Sequence, residues 1–232
     1  MNEKLLEYLL GQEVFFVEEI DRLYFDQQSI KPVLDDELNG WLYLPGEPGS
    51  ADWNLARMLG SAERANPLLE KIPRGELQLL VAETAVSCFP EWVKTGLISW
   101  YVSDGDSLSE VFEKKLDELD LTWQFRVRPA VSKAISTVGK EIFLLDSRSR
   151  IAGLVKTIRE TPNFVEVYIE VAPEYRERGL GRTLLAKMIA ESRLKGKSIT
   201  YAVDQNNHAS LALAKSVNLR PFNQLFRLIE RP

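Results

Sequence analysis

The pattern of apolar and polar residues is clearest in one segment of the C-terminal half, residues 164–171 (FVEVYIEV). Apolar and polar side chains alternate here with a period of two, which places them on opposite faces of a β-strand. One face carries Val165, Val167, Ile169 and Val171, and the other carries Phe164, Glu166, Tyr168 and Glu170. The pattern therefore predicts a strand with one apolar face and one more polar face.

The segments around this strand predict further strands and two helices. Residues 180–195 and 208–217 have apolar residues at helical spacing, and Asn207 is placed to cap the second helix. Strands are predicted at residues 121–128, where Pro129 ends the strand, and at 141–147, 150–160, 198–203 and 221–230. The order is three or four antiparallel strands followed by helix, strand, helix and strand.

Residues 1–120 predict an additional α/β region. Helices are predicted at residues 4–10, at 53–60 with Asp52 as the cap, and at 107–119. Strands are predicted at residues 13–20, 40–44, 76–83 and 92–102. A boundary near residue 120 divides the chain into an N-terminal region, residues 1–120, and a C-terminal domain, residues 121–232.

The composition excludes several classes of protein. A chain of 232 residues suits one large domain or two small ones. The single cysteine, Cys88, excludes an intrachain disulfide framework, and the single histidine, His208, excludes a multi-histidine metal site, so we expect no metal. No apolar stretch approaches the ~18 residues of a membrane span, and the first residues do not resemble a signal peptide. We therefore expect a cytoplasmic protein that does not enter a membrane.

Charge is divided unevenly between the two halves. Residues 121–232 hold 19 basic and 10 acidic residues (+9), and residues 1–120 hold the remaining 10 basic and 24 acidic residues (−14), for a net charge of −5. The basic half suits a phosphorylated cofactor, although mutual attraction of the halves explains the same distribution. The carboxylates of residues 104–120 either form a solvated helix face or attract a cationic amine. The acidic balance argues against nucleic-acid binding.

A glycine- and arginine-rich segment, RERGLGRTLL at residues 176–185, joins the strand at 164–171 to the predicted helix. The first turn of a helix has unpaired N–H groups and a favourable dipole for negative charge. Gly179 and Gly181 have no Cβ, so a phosphate can approach their backbone closely. Arg176, Arg178 and Arg182 add positive charge nearby. The segment therefore predicts an anion site.

Two common phosphate-binding motifs do not fit the chain. A dinucleotide-binding G-x-G-x-x-G would require glycine at position 184, where the chain has Leu184. The triplet Gly196-Lys197-Ser198 resembles the end of a P-loop, but the required first glycine is Glu191 and the triplet follows a helix. Dinucleotide and ATP sites are therefore not favoured.

The run Arg176-Glu177-Arg178-Gly179-Leu180-Gly181 resembles the R/Q-x-x-G-x-G/A signature of the GNAT superfamily of acetyl-CoA-dependent N-acetyltransferases. Asn207-His208-Ala209-Ser210-Leu211 resembles the second motif of that family, N-x-x-S, at the start of the following helix. Gly153 stands where family members often have a glycine in the preceding strand. The resemblance covers roughly residues 124–232 and implies a mixed, mostly antiparallel sheet flanked by helices.

The resemblance implies a site for acetyl-CoA as the acyl donor. The backbone around Val171 would pair with the pantetheine arm, and the amides of residues 178–183 would hold the pyrophosphate. Asn207 would contact the pantetheine or the phosphates. The implied cofactor-binding residues are Val171, Arg176, Arg178, Gly179, Leu180, Gly181, Arg182, Thr183 and Asn207.

The catalytic residues follow the family pattern less closely. A base must remove a proton from the attacking ammonium, and Glu166 and Glu170 lie on the polar face of the strand beside the implied thioester. A solvent-facing strand surface is the alternative interpretation of both glutamates. Family members often have a tyrosine as general acid where this chain has Ala214, so Tyr168, Tyr201 or a water must replace it.

The sequence thus predicts an N-acetyltransferase that moves an acetyl group to a primary amine on a small molecule or peptide. We expect residues 1–120 to shape or cover the acceptor site, or to be a diverged copy of the same fold. A non-catalytic coenzyme A-binding sensor or interaction module is one alternative. An acyltransferase that uses a longer acyl group is the other.

Overall fold

The computed structural model describes residues 31–45, 54–73, 77–103, 123–131 and 138–231. The chain divides into two compact units. We call Met1–Ile98 together with Gln224–Pro232 the N-terminal unit, and Ser99–Asn223 the C-terminal unit. The elements predicted at residues 4–10, 13–20 and 107–119, the Asp52 cap and the boundary near residue 120 lie outside the described residues.

The described residues of the N-terminal unit include strands of one sheet. They are β1 (Lys31–Leu34), β2 (Gly40–Leu44), β3 (Leu55–Leu59), β4 (Gln78–Val81), β5 (Trp92–Val102) and β11 (Arg220–Glu230). Their order is β1-β2-β3-β4-β11-β5. Strands β3 and β4 are parallel, whereas β1/β2, β2/β3 and β4/β11 are antiparallel.

Short helical segments also occur among the described residues of the N-terminal unit. They are α1 (Ala62–Ala65), the 3₁₀ helix η1 (Asn66–Lys71) and the 3₁₀ helix η2 (Glu83–Cys88). Trp41 anchors the core beside them, since its buried indole donates a 2.8 Å hydrogen bond to the Ala65 carbonyl and meets Phe89 edge to face. Cys88 is half-buried and packs against this core.

The helix predicted at residues 53–60 is wrong. Leu55–Leu59 forms β3 and pairs on both sides, antiparallel to β2 and parallel to β4. Pairing with segments that are distant in sequence therefore overrides the local helical signal, as tertiary context often does. The strands predicted at residues 40–44, 76–83 and 92–102 are confirmed as β2, β4 and β5.

The C-terminal unit contains the predicted sheet and helices. Its elements are β6 (Gln124–Val131), β7 (Val138–Leu145), β8 (Ile151–Glu160), β9 (Phe164–Val171), the 3₁₀ helix η3 (Pro173–Tyr175), α2 (Leu180–Arg193), β10 (Ser198–Asp204) and α3 (His208–Ser216). The strand order is β5-β10-β9-β8-β7-β6, in which β6 to β9 are antiparallel and β9 is parallel to β10. A mixed, mostly antiparallel sheet flanked by helices is thus confirmed.

Strand β6 passes through Pro129 instead of ending before it. Pro129 lies opposite Lys140 in the register of β6 and β7, and β6 is the last strand of the order. Proline has no N–H to donate to a ladder, but an edge strand needs hydrogen bonds on one side only. The edge position therefore explains why the predicted strand end is wrong.

Helix α2 packs on the apolar face of β9. Leu184, Leu185 and Ile189 are fully buried in one core with Val165 and Val167, as the alternation predicted. Gly153 on β8 makes this packing possible, because a Cβ there would lie 2.9 Å from both the Glu170 carbonyl oxygen and the Leu184 Cδ1. In the part of the chain that the structure describes, no helix has the length and apolar character needed to cross a membrane.

Candidate functional site

Strands β9 and β10 separate partway along their length. They pair in parallel at three positions, ending with Thr200 opposite Glu166. Both strands are described in full, and they continue to Asp204 and Val171 without further pairing to each other. The backbone of β9 that faces this opening is placed to receive an extended ligand as an added strand.

The opening leads to the predicted anion site at the start of α2. Gly179 is the N-cap residue and has a left-handed backbone (φ 77°), which glycine adopts without a steric penalty. The first hydrogen bond of the helix runs from the Thr183 N–H to the Gly179 carbonyl at 3.1 Å. The N–H groups of Leu180, Gly181 and Arg182 precede that bond, so they point out of the helix end toward an anion.

The side chains around the start of α2 differ in their exposure. Arg176, Arg178 and Arg182 are exposed, and the Arg176 Nε donates a 3.2 Å hydrogen bond to the Val171 carbonyl. Leu180 is buried in the core, so only its backbone faces the site. Thr183 is half-buried in the first turn of α2.

Gly181 lies beside the end of β9. A Cβ on Gly181 would lie 3.5 Å from the Leu213 Cδ2 and 3.6 Å from the Val171 Cγ2, which are ordinary contacts. The protein alone therefore has room for a small side chain here. The space beside Gly181 is therefore available to a ligand, and a side chain at this position would fill it.

Tyr175 holds the loop between β9 and α2 in place. Its buried ring meets Trp123 edge to face, and its hydroxyl donates a 2.6 Å hydrogen bond to the Asp146 carboxylate. The Arg178 guanidinium lies 5.7 Å from the centre of the same ring, within range of a cation–π interaction. Tyr175 thus links a candidate phosphate-binding arginine to a fixed point in the C-terminal unit.

Asp146 is the fixed point, in the turn between β7 and β8. Its carboxylate accepts hydrogen bonds from the backbone N–H groups of Arg148 and Arg150, both at 2.9 Å, and from the Arg150 side chain. The hydrogen bond from Tyr175 is the largest of several interactions that hold the pKa of Asp146 well below its usual value. The same bond raises the pKa of Tyr175. The sequence analysis missed both residues, since a DSRSR segment indicates only a turn.

The two candidate bases have different surroundings. Glu166 is only 2% exposed and accepts a hydrogen bond from Arg159, so a solvent-facing surface is wrong for this residue. A register shift between Thr157 and Arg159 brings the arginine opposite Glu166. Glu170 is exposed and accepts a 3.3 Å hydrogen bond from the Tyr168 hydroxyl.

The second motif brings together Asn207, Ser210 and Tyr201. The Asn207 Oδ1 accepts a 3.1 Å hydrogen bond from the Ser210 N–H, which confirms Asn207 as the cap of α3. The Tyr201 hydroxyl donates a 3.0 Å hydrogen bond to the Ser210 Oγ. Tyr201 is 6% exposed, and burial raises its pKa. It follows Thr200 directly, at the point where β10 separates from β9.

Other residues considered from the sequence contribute less. His208 is exposed at the first position of α3. Ala214 is fully buried in the core and brings no polar group to the opening. The carboxylates of residues 104–120 lie outside the described residues.

Comparison with known proteins is consistent in fold. A match to the acetyltransferase (GNAT) family covers residues 97–218, which is more than half of the chain. The structure is similar to a GCN5-related N-acetyltransferase-like protein from Streptococcus suis, with a TM-score of 0.63 and 14% identity over 100% of both chains. It is also similar to a GCN5-related N-acetyltransferase from Kribbella flavida, with a TM-score of 0.66 and 11% identity over 92% of this chain and 95% of that one.

A third similar structure is also named for the GNAT family. It is a tandem GNAT protein from the clavulanic acid biosynthesis pathway, with a TM-score of 0.51 and 10% identity over 75% of this chain and 74% of that one. No curated protein gives a significant match. At these low identities the structural similarities establish the fold alone.

Proposed function

The chain belongs to the GNAT family of acetyltransferases, and we propose that it transfers the acetyl group of acetyl-CoA to a primary amine on a small molecule or peptide. The observation that carries the proposal is the opening between β9 and β10, which leads to the glycine N-cap and exposed arginines of α2. An extended arm that ends in a pyrophosphate matches this combination of an unpaired strand edge and a helix N-terminus.

We propose that the donor binds with its pantetheine along β9 and its pyrophosphate on the amides of residues 178–183. Arg176, Arg178 and Arg182 supply positive charge around that phosphate position. Asn207, at the start of α3, is the proposed contact from the β10 side of the opening. The thioester then lies near the last paired positions, Thr200 and Glu166.

The proposed reaction forms one bond and breaks another at the thioester carbonyl. The amine nitrogen attacks the carbonyl carbon after losing one proton to the base. The C–S bond breaks, the nitrogen loses a second proton as the amide forms, and the thiolate takes up a proton. Glu166 is the proposed base, with Glu170 as the second candidate, because both lie on the face of β9 opposite the α2 core. Arg159 fixes the position of the Glu166 carboxylate.

We propose Tyr201 as the group that protonates the leaving thiolate. Its raised pKa keeps the hydroxyl protonated at neutral pH, so it can donate a proton or a hydrogen bond. Ser210 orients this hydroxyl from α3. Tyr201 would thus perform the role that the family often gives to a tyrosine at the position of Ala214.

We further propose that the N-terminal unit is a diverged acetyltransferase-like half without a donor site of its own. Its order of antiparallel strands, helical crossover and parallel strand, β1 to β4, repeats the order found from β7 to β10. The crossover helix α1 has only four residues. The Asn39 Oδ1 accepts a 2.8 Å hydrogen bond from the Ser61 N–H, so a side chain already occupies the start of that helix.

A coenzyme A-binding sensor is the second candidate function. The apolar Ala214 and the ion-paired Glu166 are the observations that favour it, since neither offers the usual acid–base group.

The deciding experiment measures release of the free thiol from acetyl-CoA in the presence of primary amines. Turnover that depends on both acetyl-CoA and the amine supports the enzyme. Stabilisation by acetyl-CoA with thiol release no faster than hydrolysis supports the sensor. Longer acyl-CoA thioesters measured in parallel distinguish an acetyltransferase from a transferase of longer chains.

A further inference from the structure

Trp100 and Thr200, both in the C-terminal unit, each have a buried polar atom without a hydrogen-bond partner among the described residues. Trp100 on β5 is 7% exposed and Thr200 on β10 is 0% exposed. Neither the Trp100 Nε1–H nor the Thr200 Oγ1 has a hydrogen-bond partner among the residues that the structure describes. Nearly all buried polar groups in folded proteins are paired, so two such atoms on neighbouring strands require an explanation.

The two side chains lie on the same face of the sheet. Strand β5 is next to β10, and the Ser103 N–H donates a 2.9 Å hydrogen bond to the Ile199 carbonyl. At the other end of the contact the Gln205 amide donates to the Ser99 hydroxyl, so the strands are antiparallel. Alternation then places Trp100 and Thr200 together, while Tyr101 and Tyr201 lie on the opposite face, in the core.

This face is also the one that carries Glu166. Thr200 and Glu166 are register partners across β10 and β9, so their side chains are neighbours. Trp100 lies on the next strand, at a position diagonal to Thr200, and such positions are about 7–8 Å apart. A ligand of a few atoms can therefore span from the Glu166–Thr200 pair to the Trp100 indole.

The chemistry of the face selects a type of ligand. An indole N–H can only donate a hydrogen bond, so its partner must be an oxygen or another acceptor. The Glu166 carboxylate is bonded to Arg159, and the Glu170 carboxylate is bonded to the Tyr168 hydroxyl. The described carboxylates of β9 thus already have partners, and the Trp100 and Thr200 groups without partners are a neutral donor and a neutral hydroxyl.

We infer that Trp100 and Thr200 form a subsite for the acceptor, and that the acceptor is a primary amine with a neutral oxygen a few bonds from its nitrogen. A hydroxyl or carbonyl of this kind receives the Trp100 Nε1–H and pairs with the Thr200 Oγ1. The amine then lies toward Glu166 and the end of the β9–β10 pairing. The inference rests on the proposed function, since it assigns the acceptor side of the same reaction.

The kinetic test compares amines that differ only in the oxygen. Ethanolamine is paired with propylamine, and 3-amino-1-propanol is paired with butylamine. We expect kcat/KM in the wild type to favour each amino alcohol by about tenfold over its alkylamine, because one hydrogen bond to a buried donor is lost. Trp100→Phe and Thr200→Val should each reduce that preference severalfold, because each variant removes one partner of the acceptor oxygen. The ratio of kcat/KM for the amino alcohol to kcat/KM for its alkylamine is compared between wild type and variant, so the difference in amine basicity cancels.

The binding test does not depend on turnover. The five tryptophans give five indole N–H signals in a ¹H–¹⁵N spectrum, and Trp100→Phe identifies the signal of Trp100. With coenzyme A present, ethanolamine should shift that signal, and propylamine should not. Thr200→Val, which preserves the shape of the side chain, provides the second variant if Trp100→Phe melts at a lower temperature.

Each outcome separates the subsite from the proposed function. Turnover without an oxygen preference, or a preference that both variants retain, overturns the subsite and leaves the transferase in place. A shifted Trp100 signal without turnover of any amine supports the subsite and contradicts the transferase. The absence of both a shifted Trp100 signal and an oxygen preference overturns the subsite.

Discussion

The Tyr175 hydroxyl lies 2.6 Å from the Asp146 carboxylate and joins the loop before α2 to the turn between β7 and β8. Arg178, which follows three residues later, contacts the same tyrosine ring through a cation–π interaction. One hydrogen bond therefore helps to fix both the backbone and one arginine of the proposed pyrophosphate site. The order of the proposed site therefore depends on Tyr175 and Asp146.

The first prediction concerns the pH dependence of this link. The pKa of Asp146 is lowered in the folded protein, so its stabilising effect is complete above the ordinary carboxyl pKa of ~3.9 and is lost as the pH falls through the lower folded value. We expect the stability difference between wild type and Asp146→Asn to be constant from pH 7 to about 5 and to decrease below about 4. Chemical denaturation at each pH measures the difference.

Tyr175→Phe is the matched variant, since it removes only the hydroxyl. It should weaken acetyl-CoA binding at pH 7, and Tyr168→Phe, which changes an exposed tyrosine, should not. A stability gap for Asp146→Asn that does not change with acidification would contradict the assignment of the low pKa to this carboxyl.

The second prediction tests the position of the pyrophosphate. At a hundredfold excess over its dissociation constant, acetyl-CoA should stabilise the wild type by about 2.7 kcal/mol. Gly181→Asp should abolish this effect, because a carboxylate would occupy the room beside Val171 and Leu213 that the phosphate needs. Leu194→Asp places the same charge at the exposed far end of α2 and is the control. An equal thermal shift in all three proteins would exclude the site.

The third prediction concerns the number of donor sites. Because the Asn39 side chain occupies the start of α1 in the N-terminal unit, we expect one acetyl-CoA per chain in a calorimetric titration. Gly181→Asp should then remove all measurable binding, whereas Asn39→Ala should leave the stoichiometry at one. Two equivalents in the wild type, or residual binding in Gly181→Asp, would identify a second site and contradict the proposed divergence of this unit.

The fourth prediction concerns the base. Glu166→Gln should lower kcat by about 10²–10⁴-fold at neutral pH, with part of the loss recovered at higher pH, where more of the amine is already deprotonated. Glu170→Gln should retain nearly wild-type turnover. Steady-state rates from pH 6 to 9 measure both effects.

The ion pair requires a further control, because removing one partner of a buried pair costs about 3–5 kcal/mol of stability. Arg159→Gln breaks the same pair but keeps the carboxylate. If Arg159→Gln and Glu166→Gln slow the reaction equally, Glu166 has a structural role. A slow Glu170→Gln beside an active Glu166→Gln would transfer the role of base to Glu170.

Local patterns account for the parts of the site that the sequence predicted. Strict alternation fixed the two faces of β9, and the Asn207 cap follows from its position before an amphipathic segment. Gly179 was predictable because a helix that follows a strand through a sharp turn favours glycine at a positive φ. These features depend on neighbours in sequence, so a single chain suffices to infer them.

The parts that escaped prediction depend on distant contacts. Glu166 is buried and bonded to Arg159, which a register shift in β8 brings opposite to it, and no residue type in β8 indicates that shift. Strand β5 lies next to β10, which is about 100 residues away in sequence. The helix predicted at β3 was wrong because β3 pairs with β4, a strand that is also separated from it in sequence. Trp100 and Thr200 therefore could not be associated from the sequence.

The last prediction concerns the group that protonates the leaving thiolate. Tyr201 is buried at the end of the β9–β10 pairing, and Ser210 orients its hydroxyl, whereas the Tyr168 hydroxyl is directed to Glu170. Tyr201→Phe removes the proton donor and leaves the ring in the core, so kcat should fall by about 10²–10⁴-fold while the KM values for both substrates change little. Ser210→Ala should produce a smaller fall, because the hydroxyl remains but loses its partner. Tyr168→Phe, the matched control, should remain nearly as active as the wild type. A slow Tyr168→Phe with an active Tyr201→Phe would assign the proton to Tyr168, and full activity in both variants would assign it to water.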